Sequence, residues 1–123
     1  MVKSEPMRVN NREGINLLDL KPERIIEWED GENGIAILLV PKFRKGILAR
    51  FLQPRLKRPF HRVHLDEYGT FIWNLCDGTR TVKEVADSLK AVHGEKVEPV
   101  YQRAGFFVQS LVRNQFVSLK SDV

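Results

Sequence analysis

LDEYGTFIWNLCDGTRTVKEVA, running from Leu65 to Ala86, reads as a helix, a stop and the start of a second helix. Asp66 suits the N-cap of the first helix. Phe71, Ile72 and Leu75 supply apolar positions at helical spacing, so the helix spans about Leu65 to Cys76. Asp77 and Gly78 end it, because glycine accepts the left-handed backbone that closes helices. Thr81 and Glu84 form a capping box, each side chain accepting from an amide that the first turn leaves open. Val82, Val85, Ala86, Leu89 and Val92 make the apolar stripe of this second helix, and Gly94 stops it. Trp73 and Cys76 fall within the apolar stretch and read as core.

Toward the C-terminus, a third helix from about Pro99 to Arg113 carries the stripe Val100, Ala104, Phe107, Val108 and Leu111, and Phe116–Leu119 reads as a short extended piece. Toward the N-terminus, His61–Leu65 alternates polar and apolar residues, the mark of a half-buried strand. Gly34–Pro41 reads as a strand apolar on both faces, hence central and covered on both sides. Asp30–Gly34 is a turn, and Glu23–Trp28 a first strand with Ile26 and Trp28 on one face. Asn10, Asn11 and Gly14 break any helix before it. The expected organisation is a flexible arm over residues 1–20 and a single domain over 21–120 with a basic insertion at 42–60. The expected fold is α+β and winged-helix-like: an N-terminal three-stranded antiparallel sheet followed by a three-helix bundle.

The 123 residues suffice for one domain. The longest apolar run, Ile35–Val40, falls far short of the roughly 20 residues that cross a bilayer. Met1–Pro6 has no apolar core behind it and does not read as a secretory signal. Cys76, the one cysteine, allows no internal disulfide, and a cytoplasmic location is expected. The net charge of +4 is unevenly spread. Lys42, Arg44, Lys45, Arg50, Arg55, Lys57, Arg58 and Arg62 fall in a span without Asp or Glu. Such a patch concentrates anionic partners near the protein.

The Ile72–Gly78 run followed by Arg80–Ala86 resembles the signature of the PqqD family, the coenzyme PQQ synthesis protein D proteins. Pro22–Arg24 leading to Trp28 is similar to that family's first strand, and Phe106–Val108 through Val117 to its last helix and end. The resemblance covers roughly residues 20–119. It implies a non-catalytic peptide-recognition domain without a cofactor. Such a domain binds the leader of a precursor peptide and presents it to a radical SAM maturation enzyme. The peptide would pair with the third strand and lie against the third helix. The long basic segment between the second and third strands, Lys42 to Phe60, departs from the simple family pattern.

The residues support such a site by themselves. An edge strand at His61, Arg62, Val63, His64 and Leu65 offers unpaired N–H and C=O groups to an extended peptide. Val63 and Leu65 are expected to face the core or the groove floor, and Arg62 and His64 to face outward. A proline at position 63 is expected to remove one strand donor and so weaken peptide binding. The third helix would supply a second wall through Tyr101, Gly105, Phe106, Val108, Gln109 and Val112, with Gly105 allowing close backbone approach. Phe106 reads equally as a peptide anchor and as packing against the arm or the basic segment. An open edge also permits strand exchange in a homodimer.

Other readings rank lower. His61 and His64 lie three apart on a strand and point to opposite faces, which disfavours a metal site. His93 at a helix end suits the helix dipole. No spacing of Ser, His and Asp suggests a triad, and no glycine loop suits a phosphate. Nucleic-acid binding by a winged helix is an alternative, with Gln102, Arg103, Gln109, Arg113 and Asn114 a thin reading face. A second alternative is weak contact with an anionic membrane through Phe43–Leu52, where a short helix could form at Gly46–Leu52.

Overall fold

Pro22 cannot donate to a ladder, yet it lies in a strand, and the way its neighbours satisfy that strand organises one half of the protein. The computed structural model describes residues 8–10, 15–41 and 60–121. The chain divides into two compact units, Met1–Ile25 with Glu67–Val123, and Ile26–Asp66.

In the first unit, β3 (Lys21–Arg24) pairs antiparallel with β7 (Val117–Lys120), Lys21 opposite Lys120 and Arg24 opposite Val117. The Ile25 N–H donates to the Phe116 carbonyl at 3.0 Å. Alternation then turns Glu23 and Lys21 toward β7, and Pro22 and Arg24 to the other side. That side is occupied by the turn that follows α1 (Glu67–Leu75). The Arg24 N–H donates to Cys76 O at 3.0 Å, the Gly78 N–H to Pro22 O at 2.9 Å and the Val82 N–H to Leu20 O at 2.9 Å. The proline stands where only an acceptor is required. The Arg24 guanidinium also donates to the carbonyls of Trp73 (3.0 Å) and Asn74 (3.1 Å), partnering the end of α1.

The turn itself is tightly bonded. Asp77 accepts from the Thr79 N–H at 3.0 Å and hydroxyl at 2.6 Å, and from Arg80 at 2.9 Å. The bonds from Thr79, with the Arg80 charge, hold the Asp77 carboxyl down at about 2. Gly78 sits at φ +85°, and a Cβ there would stand 3.2 Å from Glu23 Cδ and 3.3 Å from Lys120 Nζ. The capping box then opens α2 (Val82–His93), with Glu84 N–H donating to Thr81 Oγ1 at 3.1 Å and Thr81 N–H to Glu84 Oε1 at 2.9 Å.

Trp73, Cys76, Val82, Val85 and Ala86 have no exposed surface, and α3 (Val100–Arg113) adds Val100, Ala104, Val108 and Leu111 to the buried set. Burial pushes the Cys76 thiol up to about 12, and the thiol donates to Ile72 O at 3.2 Å. Two expectations are corrected here. The stretch expected to be a flexible arm ends in the core, since Leu17 is fully buried in a short 3-10 turn capped by Asn16. Ahead of it, β1 (Arg8–Asn10) pairs with β2 (Ile15–Asn16). Val92, assigned to the apolar stripe of α2, is 64% exposed. At that last turn the inward place is taken by His93, whose ring meets Tyr68 and Phe71 edge-on at 4.8 and 5.5 Å.

The second unit is a three-stranded antiparallel sheet in the order β4 (Glu27–Asp30), β5 (Ala36–Pro41), β6 (Phe60–His64). The α+β expectation therefore holds, and among the described residues β5 is central and β6 lies at an edge, as expected. Asn33 (φ 59°) and Gly34 (φ 74°) make the hairpin loop. The first strand, expected to be continuous over Glu23–Trp28, is broken. Ile25 and Ile26 lie between β3, which bonds to β7, and β4, which bonds to β5. Central β5 is buried on one face only, at Ala36, Leu38 and Val40, and half-buried on the other, so its two apolar faces are not equally covered. The basic segment Lys42–Pro59, with Lys42, Arg44, Lys45, Arg50, Arg55, Lys57, Arg58 and the helix expected at Gly46–Leu52, lies outside the described residues. No helix among the described residues is long and apolar enough to cross a membrane.

Gly78→Ala is expected to destabilise the protein by about 1–2 kcal/mol, through left-handed strain and the close approach of Glu23, read as a lower denaturant midpoint. Asp77 is bonded in the folded state with a lowered pKa, so its contribution is present above the ordinary carboxylate range. That contribution is lost as pH falls through about 2. Asp77→Asn is therefore expected to flatten the acid limb of the stability curve, measured by urea unfolding at successive pH values.

Candidate functional site

The site begins with which backbone groups of β6 point away from the sheet. β6 pairs with β5 so that His64 stands opposite Ile37, Val63 opposite Leu38, Arg62 opposite Leu39 and His61 opposite Val40. The Leu65 N–H donates to Ala36 O at 3.0 Å. Residues 65 and 36 are therefore a hydrogen-bonded pair in the same register, and bonded pairs recur at every second residue. Val63 and His61 thus spend their N–H and C=O on β5, while His64 and Arg62 direct theirs outward. The hairpin gives the same parity independently. The Gly31 N–H donates to Ile35 O at 2.6 Å, which turns odd residues of β5 to β4 and even ones to β6. Among the described residues, no strand pairs with the outer side of β6. A proline at position 63 would therefore break the internal ladder, contrary to the reading from sequence. The outward donors belong to Arg62 and His64.

Side chains follow the same register. Val63 extends the row Trp28–Leu38, and Leu65 the row Asp30–Ala36. Leu65 is buried, Val63 half-buried and His61 exposed on that face. Arg62 and His64 lie exposed on the opposite face, in rows with Leu39 and Glu27, and with Ile37 and Glu29. His61 and His64 accordingly lie on opposite faces. Arg62 forms an ion pair with Glu29, reaching over β5 to the far strand. Sequence reasoning missed this partner, because neither strand alone reveals the register that brings residues 33 apart in the chain together. It also missed Phe60, half-buried at the start of β6 opposite Pro41.

The helical unit holds the residues expected to form a second wall. Gly105 and Val108 are buried, Gln109 and Val112 half-buried, and Phe106 is 48% exposed. Tyr101 is committed to α2: its hydroxyl donates to Asp87 at 2.5 Å, and Lys83, ion-paired with Asp87 at 3.2 Å, lies 5.6 Å from its ring centre. The bond to Asp87 raises the pKa of Tyr101, and the same bond lowers that of Asp87. On the polar face of α3, Arg103 donates to Lys96 O at 3.0 Å and Asn114 to Ser110 O at 2.8 Å, while Gln102 and Arg113 are exposed. No cluster of three or more His, Cys, Asp and Glu suited to a metal occurs among the described residues.

No curated protein and no solved structure matches the chain. The family model for coenzyme PQQ synthesis protein D matches residues 60–117, from the first residue of β6 to the first of β7. Within that span the residues of the signature read from the sequence are scaffold: Trp73 and Cys76 in the core, Asp77 and Gly78 in the turn, and Thr81 with Glu84 capping α2. Over residues 60–117, just under half of its length, the chain is similar to the coenzyme PQQ synthesis protein D (PqqD) family.

Proposed function

We propose that the protein is a non-catalytic accessory module of PQQ-type peptide maturation. It captures an extended segment of a precursor peptide by strand addition to β6 and presents it to a radical SAM-type enzyme in the cytoplasm. The observation that carries this reading is the outward N–H and C=O of Arg62 and His64, on a strand with one strand neighbour among the described residues. A peptide strand laid there completes those bonds, and the alternating faces of β6 sort its side chains. The family match supports the reading, since its span starts at β6. The chain's excess of basic residues between Lys42 and Arg62 favours an anionic partner and raises its encounter rate. The proposal rests on the strand edge and not on the helix that carries the exposed Phe106.

A synthetic PQQ-type precursor peptide is expected to bind with micromolar affinity, about −8 kcal/mol. On binding it should protect the amides of Arg62 and His64 from hydrogen exchange. His64→Pro removes an outward donor at a position where edge strands accept proline, so it should fold normally and weaken binding at least about ten-fold. Val63→Pro should instead lower stability. If peptide binds while the amides of Arg62 and His64 exchange as in the free protein, the site is not this edge.

A further inference from the structure

We propose that Glu29 is an internal placeholder for a carboxylate of the incoming strand, and that the ligand is an extended segment alternating acidic and apolar residues. This deepens the strand-addition reading and rests on it. A new antiparallel strand beside β6 would place one residue opposite each of Arg62, Val63 and His64. Those opposite Arg62 and His64 fall on the exposed face, and the one opposite Val63 on the face of the buried Leu38. Val63 then belongs to a non-hydrogen-bonded pair with the ligand, the pair type whose side chains stand closest. The row Trp28–Leu38–Val63 is therefore continued by an apolar residue.

The other rows are charged. Glu27 and Arg62 flank Leu39, and Glu29 and His64 flank Ile37. In the free protein the Arg62 guanidinium is drawn over β5 to Glu29, away from the open edge. Both partners are well exposed, with side-chain exposures of 39% and 46%. A pair of that kind contributes little net stability. Exchanging Glu29 for a carboxylate on the adjacent new strand is thus nearly balanced, and the new partner is one strand spacing away instead of two. The same charges disfavour a second copy as occupant. Antiparallel pairing of β6 with itself sets the basic side chains of both copies against each other on one face, and like charges directly opposite are destabilising.

The test uses the full chain and three short blocked peptides: glutamate alternating with valine, the same composition with its glutamates in one block, and lysine alternating with valine. Fluorescence anisotropy should show binding of the alternating glutamate peptide only. Glu29→Gln should tighten that binding about three-fold, and Arg62→Gln should weaken it and cancel the gain in the double variant. Equal binding of all three peptides, no binding of the alternating glutamate peptide, or no effect of Glu29→Gln would overturn the inference. Hydrogen exchange separates this failure from that of the reading beneath it. If a bound peptide protects the amides of Arg62 and His64 without preference for glutamate, strand addition stands and the placeholder falls. If a bound peptide leaves those amides unprotected, strand addition itself falls. Sedimentation showing a β6-mediated dimer, dispersed by His64→Pro, would identify a second copy as the occupant and overturn the proposal.

Discussion

Residues 20–24 hold the helical unit together by bonding on both sides. One side of this short extended segment meets β7 and the other meets the backbone of residues 76–82. Buried backbone groups left without partners cost about 1–3 kcal/mol each, so this segment fixes where the turn after α1 must lie and how α2 must start. The sequence features that look most like a motif follow from that arrangement. Asp77 accepts three bonds to shape the turn, Gly78 supplies a backbone angle other residues resist, and Thr81 starts the next helix at once. A recognisable family signature therefore encodes the frame, while the proposed docking strand sits at the edge of its span.

Much of this was legible because it depends on local chemistry. The capping box, the helix stop at Gly78, the stripe of α3 and the central and edge positions of β5 and β6 each come from residues near one another in the chain. What escaped the reading depends on distant partners. The break of the first strand at Ile25 and Ile26 reflects a change of partner from β7 to β5, which no window of residues 23–28 contains. Leu17 lies in a mixed stretch without a clear period, and its burial is decided by the helices it meets. Val92 fits the helical period, yet the aromatic rings of Tyr68 and Phe71 draw His93 inward instead.

The proposed site was legible in outline and not in register. Alternation in His61–Leu65 gave the strand and its faces. Which backbone groups stay available is a property of the ladder, settled by two bonds, Gly31 to Ile35 and Leu65 to Ala36. That parity moves attention from Val63 to Arg62 and His64. The helix residues divide by the same kind of long-range fact: Tyr101 is held by Asp87 and Lys83, Val108 by the core, and Phe106 is left exposed.

The sealed thiol of Cys76 has a practical side. It is the chain's single sulfhydryl, it has no exposed surface, and its raised pKa keeps it in the unreactive protonated form at neutral pH. Alkylating reagents thus gain access only when the helical unit opens. The rate of labelling at one native atom becomes a clock for that opening, readable by mass without introducing any probe.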